Sequence, residues 1–176
     1  MKSNTRDHNL SNWYLVYTLP KHERRICSNF VQTGIDFFFP LKKVLRQWAD
    51  RKKWVEVPLF PSYIFVRVSK RDRPKVFGVR GVLKFISNDG SPTLVGENVI
   101  NSIKLMLFGN PEATNESFSA GQLLYIRSGP MAGLSGILIE KKGRYRIAMR
   151  LHAMNQTIVA EVSSEDIQRA IPITTR

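Results

Sequence analysis

Between Phe108 and Gly121 the sequence reads FGNPEATNESFSAG and loses all hydrophobic periodicity. No other feature limits the fold so strongly. A stretch of Gly, Pro, Asn, Ser, Thr and Glu has nothing to bury, so it joins packed regions and does not belong to one. The chain of 176 residues is therefore expected to fold as two modules, 13–108 and 121–176. Residues 109–120 would be the linker, and the polar residues 1–12 a flexible N-terminus. At 43% apolar and 23% charged residues the composition is that of a globular protein.

Before the interruption, strand and helix patterns alternate. WYLVYTL (Trp13 to Leu19) has strand composition. KHERRICSNFVQTG places Ile26, Cys27, Phe30 and Val31 at helical spacing and ends on Gly34, a residue suited to a left-handed helix cap. IDFFFPLKKVL returns to a strand, DRKK (Asp50 to Lys53) turns the chain, and WVEV resumes the alternation. A helix over KKVLRQWADRKKW competes with that reading. The β-branched and aromatic flanks and the bracketing Pro40 and Pro58 favour a β-hairpin. After GVLKFI and the loop SNDGSP, Val99, Ile100, Ile103 and Leu107 line one helical face. The order β-α-β-β-β-α with hairpin connections predicts an α+β sandwich, helices packed on an antiparallel sheet.

After the interruption come short strands with turn signals at Gly129, Gly133, Gly136 and Gly143. About 50 residues of this kind are expected to close as a small barrel, because open edges invite aggregation.

One strand raises a question of function. In PLFPSYIFVRV (Pro58 to Val68), Ser62, Ile64, Val66 and Val68 share one face, and Tyr63, Phe65 and Arg67 the other. The first is an ordinary core face. The second begins aromatic and ends charged, the pattern of a face only half covered.

Several function classes fall away. The glycine run SGPMAGLSG lacks the Gly-Lys-Ser/Thr of a phosphate loop and the spacing of a dinucleotide fingerprint. It reads as a turn at Gly129-Pro130, with Gly133 and Gly136 allowing a bulge and a sharp bend. His8, His22 and His152 have no ligand spacing, so no metal site is expected. The single cysteine, Cys27, is expected to be a packed thiol on the apolar side of its helix. No carboxylate pair suggests acid–base work, and neither an enzyme nor a cofactor is expected. A polar N-terminus without an apolar core segment, and no long apolar run, argue against export or membrane insertion. The expected compartment is the cytoplasm.

Charge points to a partner. The chain has 27 Lys and Arg against 14 Asp and Glu, a net +13. Residues 1–110 hold 19 against 8, or +11, and the remainder 8 against 6. Arg24 and Arg25, then Lys42, Lys43, Arg46, Arg51, Lys52 and Lys53, then Lys70, Arg71, Arg73 and Lys75 form three basic groups, with Trp48 and Trp54 interleaved. Phosphates meet cations and bases stack on aromatic rings, so the partner class is nucleic acid.

WYLVYTLPKHERR, PLFPSYIFVRV, VRGVLKFI and GPMAGLSG follow one another with a spacing that resembles the NusG family of transcription elongation factors. The first module resembles the NusG N-terminal domain and the second a KOW domain, an SH3-like β-barrel. Within the family the chain looks most similar to the specialised RfaH and UpxY types, which act as antiterminators on particular long operons, often for surface polysaccharides. The resemblance implies an exposed apolar patch gripping the clamp helices of the RNA polymerase β′ subunit, here Tyr17, Phe60, Pro61, Tyr63 and Phe65. It also implies that Arg24, Arg25 and Arg80 lie near positions facing upstream or non-template DNA, alongside the basic Lys42, Lys43 and Arg46. RDRPKVF stands where RfaH-type proteins carry a polar segment touching the β subunit, so that contact is altered or missing. The second module, with Pro130 and its glycines, is expected to be a constitutive barrel; in the family it recruits Rho or a small-subunit ribosomal protein. A monomer is expected. The alternative function is a ribosome-associated RNA-binding KOW protein.

Overall fold

The computed structural model describes residues 10–114, 123–141, 144–163 and 171–172. His8, Gly143 and part of the expected linker lie outside them. In chain order the structure forms β1 (Asn12–Thr18), α1 (Glu23–Thr33), β2 (Asp36–Phe38), β3 (Leu41–Gln47), β4 (Lys52–Pro58), β5 (Tyr63–Val68), α2 (Arg73–Phe77), β6 (Val82–Phe85), β7 (Ser87–Asn88), β8 (Ser91–Pro92), β9 (Leu94–Val95) and α3 (Glu97–Met106). There follow β10 (Glu112–Thr114), β11 (Leu123–Tyr125), β12 (Ser135–Lys141), β13 (Arg144–Leu151), β14 (Gln156–Glu161) and β15 (Ile171–Pro172). Two compact units arise that do not follow chain order. One comprises residues up to 39 and 60–97; the other comprises 40–59 and the chain from 98 onwards.

The first unit is built on an antiparallel sheet ordered β2-β5-β1-β6, with β9 also paired to β1. Trp13, Tyr14, Leu15 and Val16 are consecutive and all buried, as befits a central strand covered on both faces. On one face Tyr14, Val16, Ile64, Val66 and Phe85 pack with Ile26 and Phe30 of α1. Gly34 caps this helix at φ 67°, and its N–H bonds to the Phe30 and Val31 carbonyls, as a helix stop of this kind requires. Val31, expected on the apolar face, is 70% exposed. It lies one position beyond Phe30, and the buried stripe runs through Ile26 and Phe30.

Pro40 divides the stretch expected as one strand into β2 and β3, because proline has no N–H to carry a ladder onward. The hairpin preferred over a helix is present: β3 and β4 pair antiparallel from Leu41↔Pro58 to Gln47↔Lys52. The short helix α2 was not anticipated. Its five residues carry Pro74 in the first turn, where a missing N–H costs nothing.

In the second unit the β3–β4 hairpin is a sheet of its own, and the strands after α3 form one antiparallel sheet ordered β10-β14-β13-β12-β11-β15. Two expectations change here. Glu112–Thr114, inside the stretch read as linker, is a strand paired with β14 from Glu112↔Val159 to Thr114↔Thr157; a long-range partner supplies the order that local composition lacks. The sheet is also open among the described residues: β10 and β15 are its ends and are not paired with each other. The glycine turn is as expected. Gly129 and Gly133 take φ 82° and 94°, the Ala132 N–H bonds to the Gly129 carbonyl and the Gly133 N–H to that of Ile126. Gly136 is needed for space: a Cβ there would come within 2.7 Å of the Ala148 carbonyl oxygen and of Ile147. In α3 the buried residues are Ile100, Ile103 and Met106, with Met106 in the place expected for Leu107.

Candidate protein-docking and nucleic-acid surfaces

On the second face of the first unit's sheet less is exposed than expected. Along β5, Tyr63 is half-buried, Phe65 is buried and Arg67 is exposed. Phe60 and Phe65 are each 1% exposed, so neither belongs to an open surface. The reason is local. Phe65 sits mid-sheet between β1 and β2, opposite Leu15 and Phe38, and its ring lies 5.9 Å from that of Phe38 and 6.2 Å from that of Phe60. Phe60 is folded back over it by a turn in which the Tyr63 N–H bonds to the Phe60 carbonyl. Burying a phenylalanine contributes roughly 1.5–3 kcal/mol, and this trio keeps that gain inside the unit.

What stays accessible is a tyrosine pair. Tyr17 and Tyr63 are direct cross-strand partners with ring centroids 5.3 Å apart. Both are half-buried, and Pro61 beside them is exposed.

A buried carboxylate fixes this corner. Glu23, in the first turn of α1, is 5% exposed, and its Oε1 accepts a hydrogen bond of 2.8 Å from the Ser62 backbone N–H. Ser62 has φ 67°, a left-handed conformation that a non-glycine residue adopts at a cost. The helix terminus thus clamps the residue immediately before Tyr63. Sequence reasoning missed this tie, since Glu23 next to two arginines looks like a solvated charge. Behind it, burial and then the Glu23 carboxylate push the Cys27 thiol up to about 11. Cys27 is packed, partly buried, against the core beneath the sheet.

The cations fall into separate groups. Arg24, Arg25 and Arg80 are all exposed. The Gly81 backbone abuts α1, with Ile26 3.0 Å from where a Cβ would stand, so the chain next to Arg80 runs close to the helix that carries the other two arginines. Lys42, Lys43 and Arg46 lie on β3 in the other unit. Lys42 and Arg46 share one hairpin face and Lys43 the other, directly opposite Glu56. Arg73 is not a plain surface cation either. It donates to the Tyr14 hydroxyl at 2.7 Å and lies 4.6 Å from that ring's centroid, an arrangement the sequence did not suggest. Asp72, next to it, is held below the usual carboxylate range by its bonds with Lys75 and the Ser69 hydroxyl.

Among the described residues no group of three His, Cys, Asp or Glu side chains could hold a metal ion. Nor is any helix among the described residues long and apolar enough to cross a membrane.

A family model described as transcription termination factor nusG matches residues 11–104. This chain belongs to the NusG family. The family comprises transcription factors and not enzymes. The chain is 25% identical over 159 residues to the transcription termination/antitermination protein NusG of Rickettsia felis, covering 81% of this chain and 83% of that one. Its counterpart in Rickettsia typhi is 24% identical over 179 residues, covering 92% and 91%. Among solved structures, Thermotoga maritima NusG, described under domain interaction, superposes with a TM-score of 0.52 at 21% identity, covering 93% of this chain and 98% of that one. The mixed fold, mostly strands with few helices, is therefore that of NusG.

Proposed function

We propose that this protein is a NusG-type transcription factor that binds RNA polymerase through the first unit's sheet and suppresses pausing or termination. The observation that carries the reading is the Tyr17–Tyr63 pair. Two amphipathic rings meet across β1 and β5, tilted at 59° to each other, at the accessible end of a face on which Leu15 and Phe65 are buried. Tyrosines so placed present apolar area with a polar tip, a composition enriched at protein interfaces. The partner surface is the clamp helices of the β′ subunit, with Pro61 at the rim; Phe60 and Phe65 support the tyrosines from beneath. Arg24, Arg25 and Arg80 steady upstream or non-template DNA, as do Lys42, Lys43 and Arg46. The strands from β10 to β15 serve as a KOW-type module whose partner is Rho or a small-subunit ribosomal protein. The factor acts in the cytoplasm as a monomer.

The test is a Tyr17→Ser/Tyr63→Ser double variant. Polymerase affinity is expected to fall by at least about thirtyfold, some 2 kcal/mol, while the melting temperature changes little. Phe65→Ser is the contrast, costing about 3–5 kcal/mol of stability. Unchanged polymerase binding by a folded double variant overturns the reading. Whether the factor is a specialised RfaH- or UpxY-type antiterminator of surface-polysaccharide operons is decided by its chromosomal occupancy. A few occupied operons mean a specialist, and occupancy everywhere a general factor.

A further inference from the structure

Within the first unit, a groove of about 610 Å³ opens among the chain entering β1, the β5–α2 connection and strands β8 and β9. Leu10, Pro92 and Leu94 give it apolar walls, and Lys70 and Arg73 bring two cations. Leu10 is 62% exposed and Leu94 61%, so two leucines stand bare beside the charges. Among the described residues no Asp or Glu lines the groove. The sequence-based reading placed both cations in a general basic face, with no cavity between them.

Arg73 is held in place but not neutralised. One Nη donates to the hydroxyl of the fully buried Tyr14, whose ring seats the guanidinium. Its Nε is shut off from solvent and has no hydrogen-bond partner. The nearby carboxylates are engaged elsewhere, Asp72 with the Ser69 hydroxyl and Lys75, and Glu97 with the Trp13 indole. A guanidinium keeps its proton in a protein, and a charge drawn out of water is costly without a counter-charge. Lys70, exposed, has no ion-pair partner among the described residues. The groove thus lacks negative charge and has apolar wall to spare. An inorganic anion would leave the leucines bare, and a neutral apolar molecule would leave the cations unpaired. An organic anion with an apolar body answers both, and the cavity has the size of a small-ligand site.

We propose that this groove is a small-molecule site for an organic carboxylate, its head between Arg73 and Lys70 and its apolar body against Leu10, Pro92 and Leu94. Arg73 supplies the directional, charge-assisted hydrogen bonds and Lys70 a point charge. The site goes beyond the transcription-factor reading and needs neither polymerase nor nucleic acid. Tyr14 also packs edge-on against Phe85, ring centroids 5.7 Å apart, so the seat of Arg73 belongs to the unit's core. A ligand that binds only the folded unit therefore raises its melting temperature.

The experiment uses the full chain and titration calorimetry with octanoate, butyrate, octylammonium and inorganic phosphate. One equivalent of octanoate is expected to bind, at least about tenfold more tightly than any of the other three. Arg73→Met, Lys70→Met and Leu94→Ser, each checked for an unchanged melting temperature without ligand, should weaken octanoate by about threefold to tenfold. Arg73 also packs on Tyr14, so if Arg73→Met loses stability the other two, both at exposed side chains, decide the matter. Any of four results overturns the proposal. Octanoate shows no saturable binding; octylammonium or phosphate binds as tightly as octanoate; Lys70→Met and Leu94→Ser both bind it within about twofold of the parent; or a fifteen-nucleotide oligothymidylate or polyglutamate displaces it as effectively as octanoate itself at equal charge, which makes the groove part of a macromolecular surface. None of these measurements involves polymerase, so the proposal and the docking reading fail separately.

Discussion

Glu23 offers a sharp test of how the first unit holds the corner at Ser62 and Tyr63. Its carboxylate is buried and accepts the Ser62 N–H at 2.8 Å. A hydrogen bond to a charged group contributes about 1.5–3 kcal/mol, and orphaning a buried donor costs about 1–3 kcal/mol. An acidic residue in a helix's first turn adds about 0.3–1 kcal/mol. These contributions overlap, so Glu23→Ala is expected to cost about 2–3 kcal/mol. Glu23→Gln, which keeps an oxygen acceptor and loses the charge, should cost about 1 kcal/mol. Ser62→Gly should move the other way by up to about 1 kcal/mol, because glycine adopts φ 67° without the Cβ penalty. Urea denaturation followed by tryptophan fluorescence suits the question. Trp13, 6% exposed, lies in this unit, whereas Trp48 and Trp54 are largely solvated already. With a urea slope of about 1–3 kcal/mol per molar, Glu23→Ala should lower the midpoint by about 1 M. A Glu23→Ala midpoint indistinguishable from the parent's, or a Ser62→Gly loss as large as that of Glu23→Ala, refutes the clamp.

Two further outcomes follow from the packing. Gly136→Ala should destabilise the second unit by about 1–3 kcal/mol, read as a lower thermal midpoint, because β12 and β13 must part to admit a Cβ 2.7 Å from the Ala148 carbonyl oxygen. Cys27, with its thiol pushed up to about 11, should react with Ellman's reagent at pH 8 about a hundredfold more slowly than in the unfolded chain, whose thiol titrates near 8.5. The same shift makes the thiol's contribution to stability fully present below the unfolded value and lost as pH rises from about 9 through 11.

Local signals were legible where the chain itself supplies the cause. Gly34 ends α1 because a left-handed cap is intrinsic to the residue, and Pro40 and Pro58 bound the hairpin because proline cannot continue a ladder. The sheet face made by Ile64, Val66 and Val68 follows from alternation alone. Other elements owe their existence to distant partners. β10 forms because β14 offers its edge, and no composition rule sees that. The five residues of α2 are too few to display a period. Glu23 gave no sign of burial, because its partner is a backbone N–H 39 positions away.

The misjudged face of β5 has a more general cause. Alternation assigns residues to a face but says nothing of how far the cover over it extends. Tyr63 and Phe65 were therefore treated alike, although one is half-buried and the other fully so. The residue types carried the missing information. A phenylalanine has no polar atom to satisfy and gains from every neighbour it touches, whereas a tyrosine hydroxyl must find a partner or water. Across this face Phe60 and Phe65 are buried, Phe38 packs against Phe65, and the two tyrosines hold the accessible end. The change from phenylalanine to tyrosine thus marks where the unit's own packing gives out, which is where the proposed docking surface begins.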